Sequence, residues 1–322
     1  MQTLILTSAS GMCAELLDLG ATVQRLVVPV RPGGEANPDD AARDVLLGLG
    51  SEAEHHASQD YVGVSIGRYA NRIGGGRFTL DGVEHRLPVN DHGNTLHGGA
   101  GFDERTWTVV DHQESSLTLA LVSDDGDQGF PGRVEVTARF ELVESAGLPT
   151  MRTTYSAQTS APTPVSLTSH LYLDLDGATP GPADPRQRLD VPAGRYLPVD
   201  EVGLPTGEVA PVEATAYDLR GGRALGDLPP IDHSYVVDGE GLRQVAEMTS
   251  STGDLTMELW SDQPGLHVYT GSKLVAGDLE PFAGVALEPQ HFPDSVHHPE
   301  WPSTVLRPGE TYAGTSELRF RS

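Results

Sequence analysis

The strongest constraint on the fold of this chain is the alternation of apolar and polar residues with a period of two. Residues 133–142 show it most clearly, because Val134, Val136 and Ala138 alternate with arginine, glutamate and threonine. This pattern is typical of a half-buried antiparallel strand. Similar runs occur at residues 117–122, 165–175, 255–260, 266–270 and 285–287. Glycine and proline, 37 and 24 of the 322 residues, punctuate them and predict short strands joined by tight turns.

The clearest hairpin prediction covers residues 77–87, where two strand-like runs flank Asp81-Gly82. Both residues of such a turn tolerate a positive φ. Only residues 39–57 favour a helix. No linker or internal repeat interrupts the pattern, and all-β sandwiches extend past about 200 residues as one domain. We therefore predict an all-β fold, a single large antiparallel β-sandwich in which residues 1–322 form one domain.

Charge and cysteine content exclude several classes of function. A formal net charge of -25 repels phosphate backbones and anionic lipids, so we expect neither a nucleic-acid nor a membrane partner. Lys273 is the only lysine available for Schiff-base chemistry. Cys13 is alone, which excludes an intramolecular disulfide and fits a reducing compartment. The N-terminus lacks the features of a signal peptide, so a cytoplasmic location is predicted.

Four segments concentrate polar groups that strand packing does not require. Residues 67–73 carry Asn71 and Arg72, whose guanidinium suits recognition of hydroxyls or carboxylates. Residues 93–99 place His97 before two glycines. Residues 165–173 place His170 inside an apolar run, sharing a face with Tyr172 if alternation holds. For each of these segments an ordinary structural role also remains open.

The fourth segment, residues 286–294, ends an apolar run with Glu288 just before a proline. A carboxylate at a strand end would be partly desolvated and could serve as a general base, or it could simply be solvated. The histidine doublets 55–56 and 297–298 lack any zinc-type spacing, because adjacent strand residues point to opposite faces. No metal site is predicted.

Taken in order, these segments resemble the aldose 1-epimerase, or galactose mutarotase, family. The ordered series continues with residues 101–103 and 107, 167–172, 231–233, 268–271 and 287–290, and it covers the chain from about residue 17 to the C-terminus. The resemblance implies a large antiparallel β-sandwich with an open sugar cleft. It also implies a reaction on a small-molecule sugar that needs no cofactor. We expect the chain to act as a monomer or homodimer.

The resemblance also implies roles for individual residues. Glu288 takes the place of the general base that deprotonates the anomeric hydroxyl, and His170 that of the acid that protonates the ring oxygen. His97 matches a second histidine near the ring oxygen. The side chains expected to hold the sugar are Arg72, Asn71, Asp232, Tyr172 and His267.

The chain departs from the family pattern in three places. Ser169 stands where asparagine is usual, Leu173-Asp174 where Phe-Asn is usual, and His267 where glutamine is frequent. We expect these departures to bear on which aldose is preferred. Three alternatives to a free-hexose mutarotase stay open: an epimerase for phosphorylated hexoses, a glycoside hydrolase using Glu288 and Asp232, and a non-catalytic carbohydrate-binding protein.

Overall fold

The computed structural model describes residues 1–30 and 42–322 of the chain, which form strands almost throughout. The helical elements of these described residues are the helix α1 (Glu52–Ala57) and four 3-10 turns at Gly74–Gly76, Asp127–Gly129, Leu225–Asp227 and Ser295–His297. The strands of the described residues, in chain order, are β1 Thr3–Thr7, β2 Cys13–Leu17, β3 Thr22–Pro29, β4 Ala42–Asp44, β5 Ser65–Ile66, β6 Arg72–Ile73, β7 Arg77–Leu80, β8 Val83–Arg86, β9 Thr95–Leu96, β10 Thr108–His112, β11 Ser116–Ser123, β12 Val134–Ser145, β13 Leu148–Thr159, β14 Thr163–Pro164, β15 Thr168–Ser169, β16 Tyr172–Leu173, β17 Arg188–Asp190, β18 Arg195–Leu197, β19 Ala210–Pro211, β20 Arg223–Ala224, β21 Asp232–Val236, β22 Arg243–Thr249, β23 Thr256–Ser261, β24 Gly265–Tyr269, β25 Val285–Gln290, β26 Val305–Leu306 and β27 Tyr312–Arg321.

Two large antiparallel sheets dominate the fold. The first contains nine strands in the order β10-β11-β12-β13-β27-β23-β22-β17-β20, and the second contains six in the order β16-β25-β24-β21-β18-β19. A four-stranded sheet, β1 to β4, adds a further wall. The all-β sandwich predicted from the alternation is therefore confirmed.

The core lies between the two large sheets because each strand sends alternate side chains inward. From the six-stranded sheet, Leu266, Val268 and Leu287 enter the largest buried cluster. From the nine-stranded sheet, Phe140 and Leu318 join the same cluster. The intervening residues of β24 and β25 therefore lie on the opposite face of the six-stranded sheet, where the polar segments gather.

Local predictions hold where the alternation is strong. The hairpin at residues 77–87 forms as β7 and β8, with Leu80 paired to Val83 across the turn. The helix expected over residues 39–57 is mostly wrong: residues 42–44 form β4 against β3, and only Glu52–Ala57 are helical. Residues 39–41 lie outside the described part. Within residues 1–30 and 42–322, no helix is long and apolar enough to cross a membrane.

Candidate active site

Strands β21, β24 and β25 build the floor of an open pocket on the outer face of the six-stranded sheet. Their register places Ser234 opposite His267, and His267 opposite Glu288. The inward neighbours of these residues, such as Leu266 and Leu287, are anchored in the core. Core packing therefore fixes the position of the polar row above it.

The pocket has a volume of about 200 Å³ and brings together all eight residues singled out from the sequence. Six separate stretches of chain, far apart in the sequence, supply them. The lining residues are Gln59, Asp60, Tyr61, Asn71, Arg72, Asp91, His92, Leu96, His97, His170, Tyr172, Asp232, His267, Tyr269, Lys273 and Glu288.

Glu288 and His170 face each other at the bottom of the pocket. Glu288 is 1% exposed and His170 4% exposed. His170 Nε2 lies 3.6 Å from Glu288 Oε1, longer than a hydrogen bond, so neither atom is committed to the other. Among the described residues, Glu288 Oε2 and His170 Nδ1 have no hydrogen-bond partner either. One carboxylate and one imidazole are thus free to exchange protons with a molecule lying between or above them.

His97 is oriented by the backbone of Asn71. The Asn71 N–H donates to His97 Nδ1 at 3.2 Å, and the His97 N–H donates to the Asn71 carbonyl at 3.1 Å. Both residues adopt a left-handed backbone, with φ of 64° and 53°. Burial, aided by the nearby His170, lowers the pKa of His97 well below its usual value. The neutral ring therefore accepts at Nδ1 and carries its hydrogen on Nε2.

Arg72 is clamped on one edge of the pocket. Its Nε donates to Asp91 Oδ2 at 2.7 Å, and its NH1 donates to the Gly203 carbonyl at 3.4 Å. Gly203 has a φ of +79°, and a Cβ there would lie 2.8 Å from Arg72 Cζ, so only glycine allows this approach. Arg72 NH2 lies 4.0 Å from Asp232 Oδ2. The guanidinium thus stands between two carboxylates.

Asp232 receives its closest hydrogen bond from His267, whose Nε2 lies 2.9 Å from Asp232 Oδ1. The other ring nitrogen of His267 lies 2.9 Å from Ser234 Oγ. Burial acts to raise the pKa of Asp232, but the His267 hydrogen bond and the Arg72 charge outweigh it and hold that pKa well below the usual range. Asp232 is therefore a carboxylate throughout the physiological range.

Aromatic side chains close the pocket around the histidines. The Tyr172 ring lies 4.9 Å from the His170 ring, while its hydroxyl donates to the Asp60 carbonyl at 3.1 Å. Tyr172 therefore offers a ring face to the pocket and keeps its hydroxyl engaged. The Tyr61 ring lies 4.4 Å from that of His97. These rings limit water around the two imidazoles.

Three side chains of this pocket could together hold a metal ion, and they are the one such group within residues 1–30 and 42–322. Ligand atoms of His97, His170 and Glu288 lie within 4.8 Å of one another. These are also the residues to which the resemblance assigns the proton transfers. A chelation experiment therefore belongs with any test of this site.

Two of the three departures from the family pattern point away from the pocket. Ser169 Oγ lies 2.6 Å from the Tyr155 hydroxyl, which lies 2.7 Å from Ser65 Oγ in a buried network. Asp174 is 2% exposed and accepts from the Gln187 side chain at 2.7 Å. Only His267 lines the pocket, so the prediction that these departures affect sugar preference now rests on that residue.

Sequence reasoning missed several lining residues. Asp91 lies in a turn before the His97 motif, and nothing local indicates that it pairs with Arg72, 19 residues away. Tyr61 and Asp60 precede the Arg72 motif in a stretch without a chemical signature. Ser234, which does not line the pocket but contacts His267, could have been found because strand alternation from Asp232 places both on one face.

A larger cavity elsewhere lacks the chemistry of this pocket. It measures about 370 Å³ and is bounded by prolines and apolar residues, among them Pro182, Pro185, Leu228 and Phe282. None of its lining side chains is ionisable. It therefore has no group for proton transfer.

Comparison with known proteins identifies the sequence relatives of this chain. The family model described as aldose 1-epimerase matches residues 2–319. An aldose 1-epimerase from Escherichia coli K12 is 35% identical, with 98% of this chain and 94% of that protein covered. A galactose mutarotase from Homo sapiens is 36% identical, with 95% of this chain and 90% of that protein covered.

Solved structures show the same fold. A GalM/aldose epimerase homologue from C. elegans matches with a TM-score of 0.90 and 23% identity, covering 99% of this chain and 98% of that one. A galactose 1-epimerase from Lactobacillus acidophilus matches with a TM-score of 0.82 and 24% identity, covering 98% and 93%. At these identities the structural match establishes the sandwich architecture.

Proposed function

The chain belongs to the aldose 1-epimerase family and is an isomerase, and on this premise we propose that it interconverts the α and β anomers of a free hexose such as galactose or glucose. The observation that carries the proposal is the buried pair His170 and Glu288, 3.6 Å apart at the bottom of a pocket. Opening a cyclic hemiacetal needs one group to remove a proton and another to donate one. This pair supplies both.

In the proposed mechanism, Glu288 removes the proton from the C1 hydroxyl while the bond between C1 and the ring oxygen breaks. The electron pair of that bond stays on the ring oxygen, which takes a proton from His170. Rotation about the bond between C1 and C2 presents the other face of the aldehyde. On closure the ring-oxygen hydroxyl attacks C1, His170 regains its proton, and Glu288 returns the other. The enzyme ends as it began.

The remaining side chains are proposed to hold the sugar. His97, with its hydrogen on Nε2, donates toward the ring oxygen and so favours the developing charge there. Arg72 donates to hydroxyls and Asp232 accepts from one. The Asn71 amide oxygen already accepts from the Arg72 backbone N–H at 2.9 Å, so the Asn71 side chain offers its amide donors.

The charges around the pocket favour an uncharged sugar over a phosphorylated one. Asp60, Asp91, Asp232 and Glu288 line it, against the permanent cations of Arg72 and Lys273. Arg72 is already paired with Asp91. A phosphate dianion would therefore meet more repulsion than attraction. This excess of carboxylates argues against the hexose-phosphate alternative.

Polarimetry tests the proposal directly. Freshly dissolved α-galactose and α-glucose should approach anomeric equilibrium faster with the protein than without it. We expect full activity after exhaustive chelation, whereas loss of activity that zinc restores would refute the cofactor-free mechanism. Binding of either sugar without any acceleration would favour a carbohydrate-binding protein instead.

We also propose that the protein works in the cytoplasm as a monomer or homodimer. Cys13 is a free thiol, which fits a reducing compartment. All eight residues expected to act on the sugar line one pocket of a single chain. Light scattering coupled to gel filtration would give the oligomeric state, and a trimer or larger assembly would contradict the proposal.

A further inference from the structure

We propose that His267 is a positioning residue: the hydrogen-bonded series Ser234, His267, Asp232 holds the Asp232 carboxylate as the acceptor for one particular sugar hydroxyl. This inference rests on the proposed function, because it gives His267 a task only if Asp232 meets the sugar. It changes the sequence-based expectation for His267. That residue would influence sugar preference through Asp232, without touching the sugar itself.

The strand register builds the series. Asp232 and Ser234 are two residues apart on β21, so both side chains lie on the outer face of the sheet. Ser234 lies directly opposite His267 on β24. Ser234 is 3% exposed and His267 4% exposed, whereas the Asp232 side chain is 37% exposed. The series therefore starts in the protein interior and ends at the pocket surface.

The direction of each hydrogen bond follows from the chemistry of Asp232. An ionised carboxylate only accepts, so the hydrogen between the two side chains sits on His267 Nε2. In a neutral ring Nδ1 then accepts, and the donor is the Ser234 hydroxyl. Both ring nitrogens are used in this way. His267 has no hydrogen-bonding atom left for a sugar.

His267 is also the closest donor to Asp232. Its Nε2 is 2.9 Å from Asp232 Oδ1, whereas Arg72 NH2 is 4.0 Å from Asp232 Oδ2 and Arg72 is held by Asp91 through its Nε. Removing His267 would leave Oδ1 without its near donor and the carboxylate free to rotate. In the intact protein, Oδ1 is taken by His267, whereas Oδ2 has no donor closer than 4.0 Å among these two side chains. Oδ2 is therefore the atom that accepts from the sugar hydroxyl.

The test pairs variants with sugars that lack one hydroxyl. Mutarotation of α-galactose and of its 2-, 3-, 4- and 6-deoxy analogues would be followed for the wild type, Asp232→Asn, His267→Leu and His267→Gln. The deoxy sugar on which Asp232→Asn has no effect identifies the hydroxyl that Asp232 accepts. His291→Leu, at a half-buried histidine that does not line the pocket, is the matched control.

We expect His267→Leu to lower kcat/KM for α-galactose about 10- to 100-fold, mainly through KM, because a hydrogen bond to a charged group is lost. On the deoxy sugar identified with Asp232→Asn, the same variant should lose less than about twofold. His267→Gln keeps an amide donor and should restore most of the loss. The control should be unchanged on every sugar.

Equal losses by His267→Leu on all sugars, or no loss on α-galactose, would overturn the inference while leaving the proposed function intact. A wild type that accelerates none of the sugars would overturn both. Nitrogen-15 NMR of the wild-type protein gives a test that does not depend on variants folding. It should show His267 with its hydrogen on Nε2, and a hydrogen on Nδ1 of a neutral ring would refute the series.

Discussion

Glu288 is a carboxylate held almost out of contact with water, and one of its oxygens has no hydrogen-bond partner among the described residues. Such a group is costly to bury, so a substrate proton is the natural partner for it. The sequence neighbours of Glu288 do not by themselves require its side chain to be this deeply buried. It arises because β25 pairs with β16 on one side and β24 on the other.

The Glu288→Gln substitution tests whether Glu288 is the general base, because it replaces one carboxylate oxygen by an amide nitrogen. The amide is nearly isosteric but cannot take the anomeric proton, so we expect kcat to fall by about 10²- to 10⁴-fold with the fold intact. Polarimetry on α-galactose measures the rate, and circular dichroism checks the fold. The exposed Glu104→Gln is the matched control. Near-normal turnover in a well-folded Glu288→Gln would remove this residue from the base role.

His170→Asn tests the acid. Donation of a proton to the ring oxygen matters most in the transition state, so kcat should fall more than KM rises. We expect a loss of about 10²-fold or more in kcat. Steady-state kinetics over a range of sugar concentrations separate the two constants. An effect confined to KM would make His170 a binding residue.

Single residues also show how far sequence reasoning reaches. His97, His170 and Glu288 lie in segments with a pattern of their own, whereas Asp232 was expected only from the family resemblance; the structure gathers all four into one pocket. Asp91 and Tyr61 were missed, since their importance comes only from neighbours that the fold supplies. The tautomer of His97 depends on a backbone N–H and is likewise invisible in the sequence.

At the scale of elements, alternation predicted the long strands well and the short ones less well. The alternating run 133–142 lies almost wholly in one strand, Val134–Ser145, but the run 165–175 breaks into β15 and β16 with His170 between them. Those two strands pair with different partners, β5 and β25. The alternation within a segment does not indicate which strand it pairs with, so this change of partner could not be predicted. The change of partner turns His170 toward the pocket.

The turn that precedes β9 carries a prediction about Arg72. Asp91 holds the Arg72 Nε at 2.7 Å and also lies 2.8 Å from the exposed His92. Asp91→Asn removes the charge that fixes the guanidinium, so we expect KM for α-galactose to rise about three- to thirtyfold with a smaller change in kcat. Asp81→Asn, which breaks an exposed ion pair with Arg307 outside the pocket, is the control. An unchanged KM in Asp91→Asn would mean that the Gly203 carbonyl and Asp232 hold Arg72 well enough.

At the scale of the whole molecule, the C-terminal strand joins the two halves of the chain. β27 lies between β13 and β23 in the nine-stranded sheet, and the same core cluster contains Leu4 and Phe320. We propose that residues 1–322 unfold as one domain. Far- and near-ultraviolet circular dichroism should give coincident denaturant transitions. Two resolved transitions, or a folded protein after deletion of residues 312–322, would contradict this.

The dependence of stability on pH follows from histidines that are buried without charge. Burial lowers the pKa of His291 to about 4, whereas the unfolded chain titrates near its ordinary value of 6.5. Between these two values the unfolded state binds a proton that the folded state does not. The free energy of unfolding must therefore rise with pH across this window and fall on acidification, by about 1.4 kcal/mol per pH unit for one proton.

The variant His291→Gln isolates this contribution from the many other titrating groups of an acidic protein. Between pH 7 and pH 5 the wild type should lose about 1.8 kcal/mol more of its free energy of unfolding than the variant does. Urea titrations at each pH measure the free energy of unfolding of both proteins. His112→Gln serves as the control because the His112 side chain is exposed in the folded protein. Parallel stability curves for wild type and His291→Gln would show that His291 becomes protonated in the folded protein as readily as in the unfolded chain.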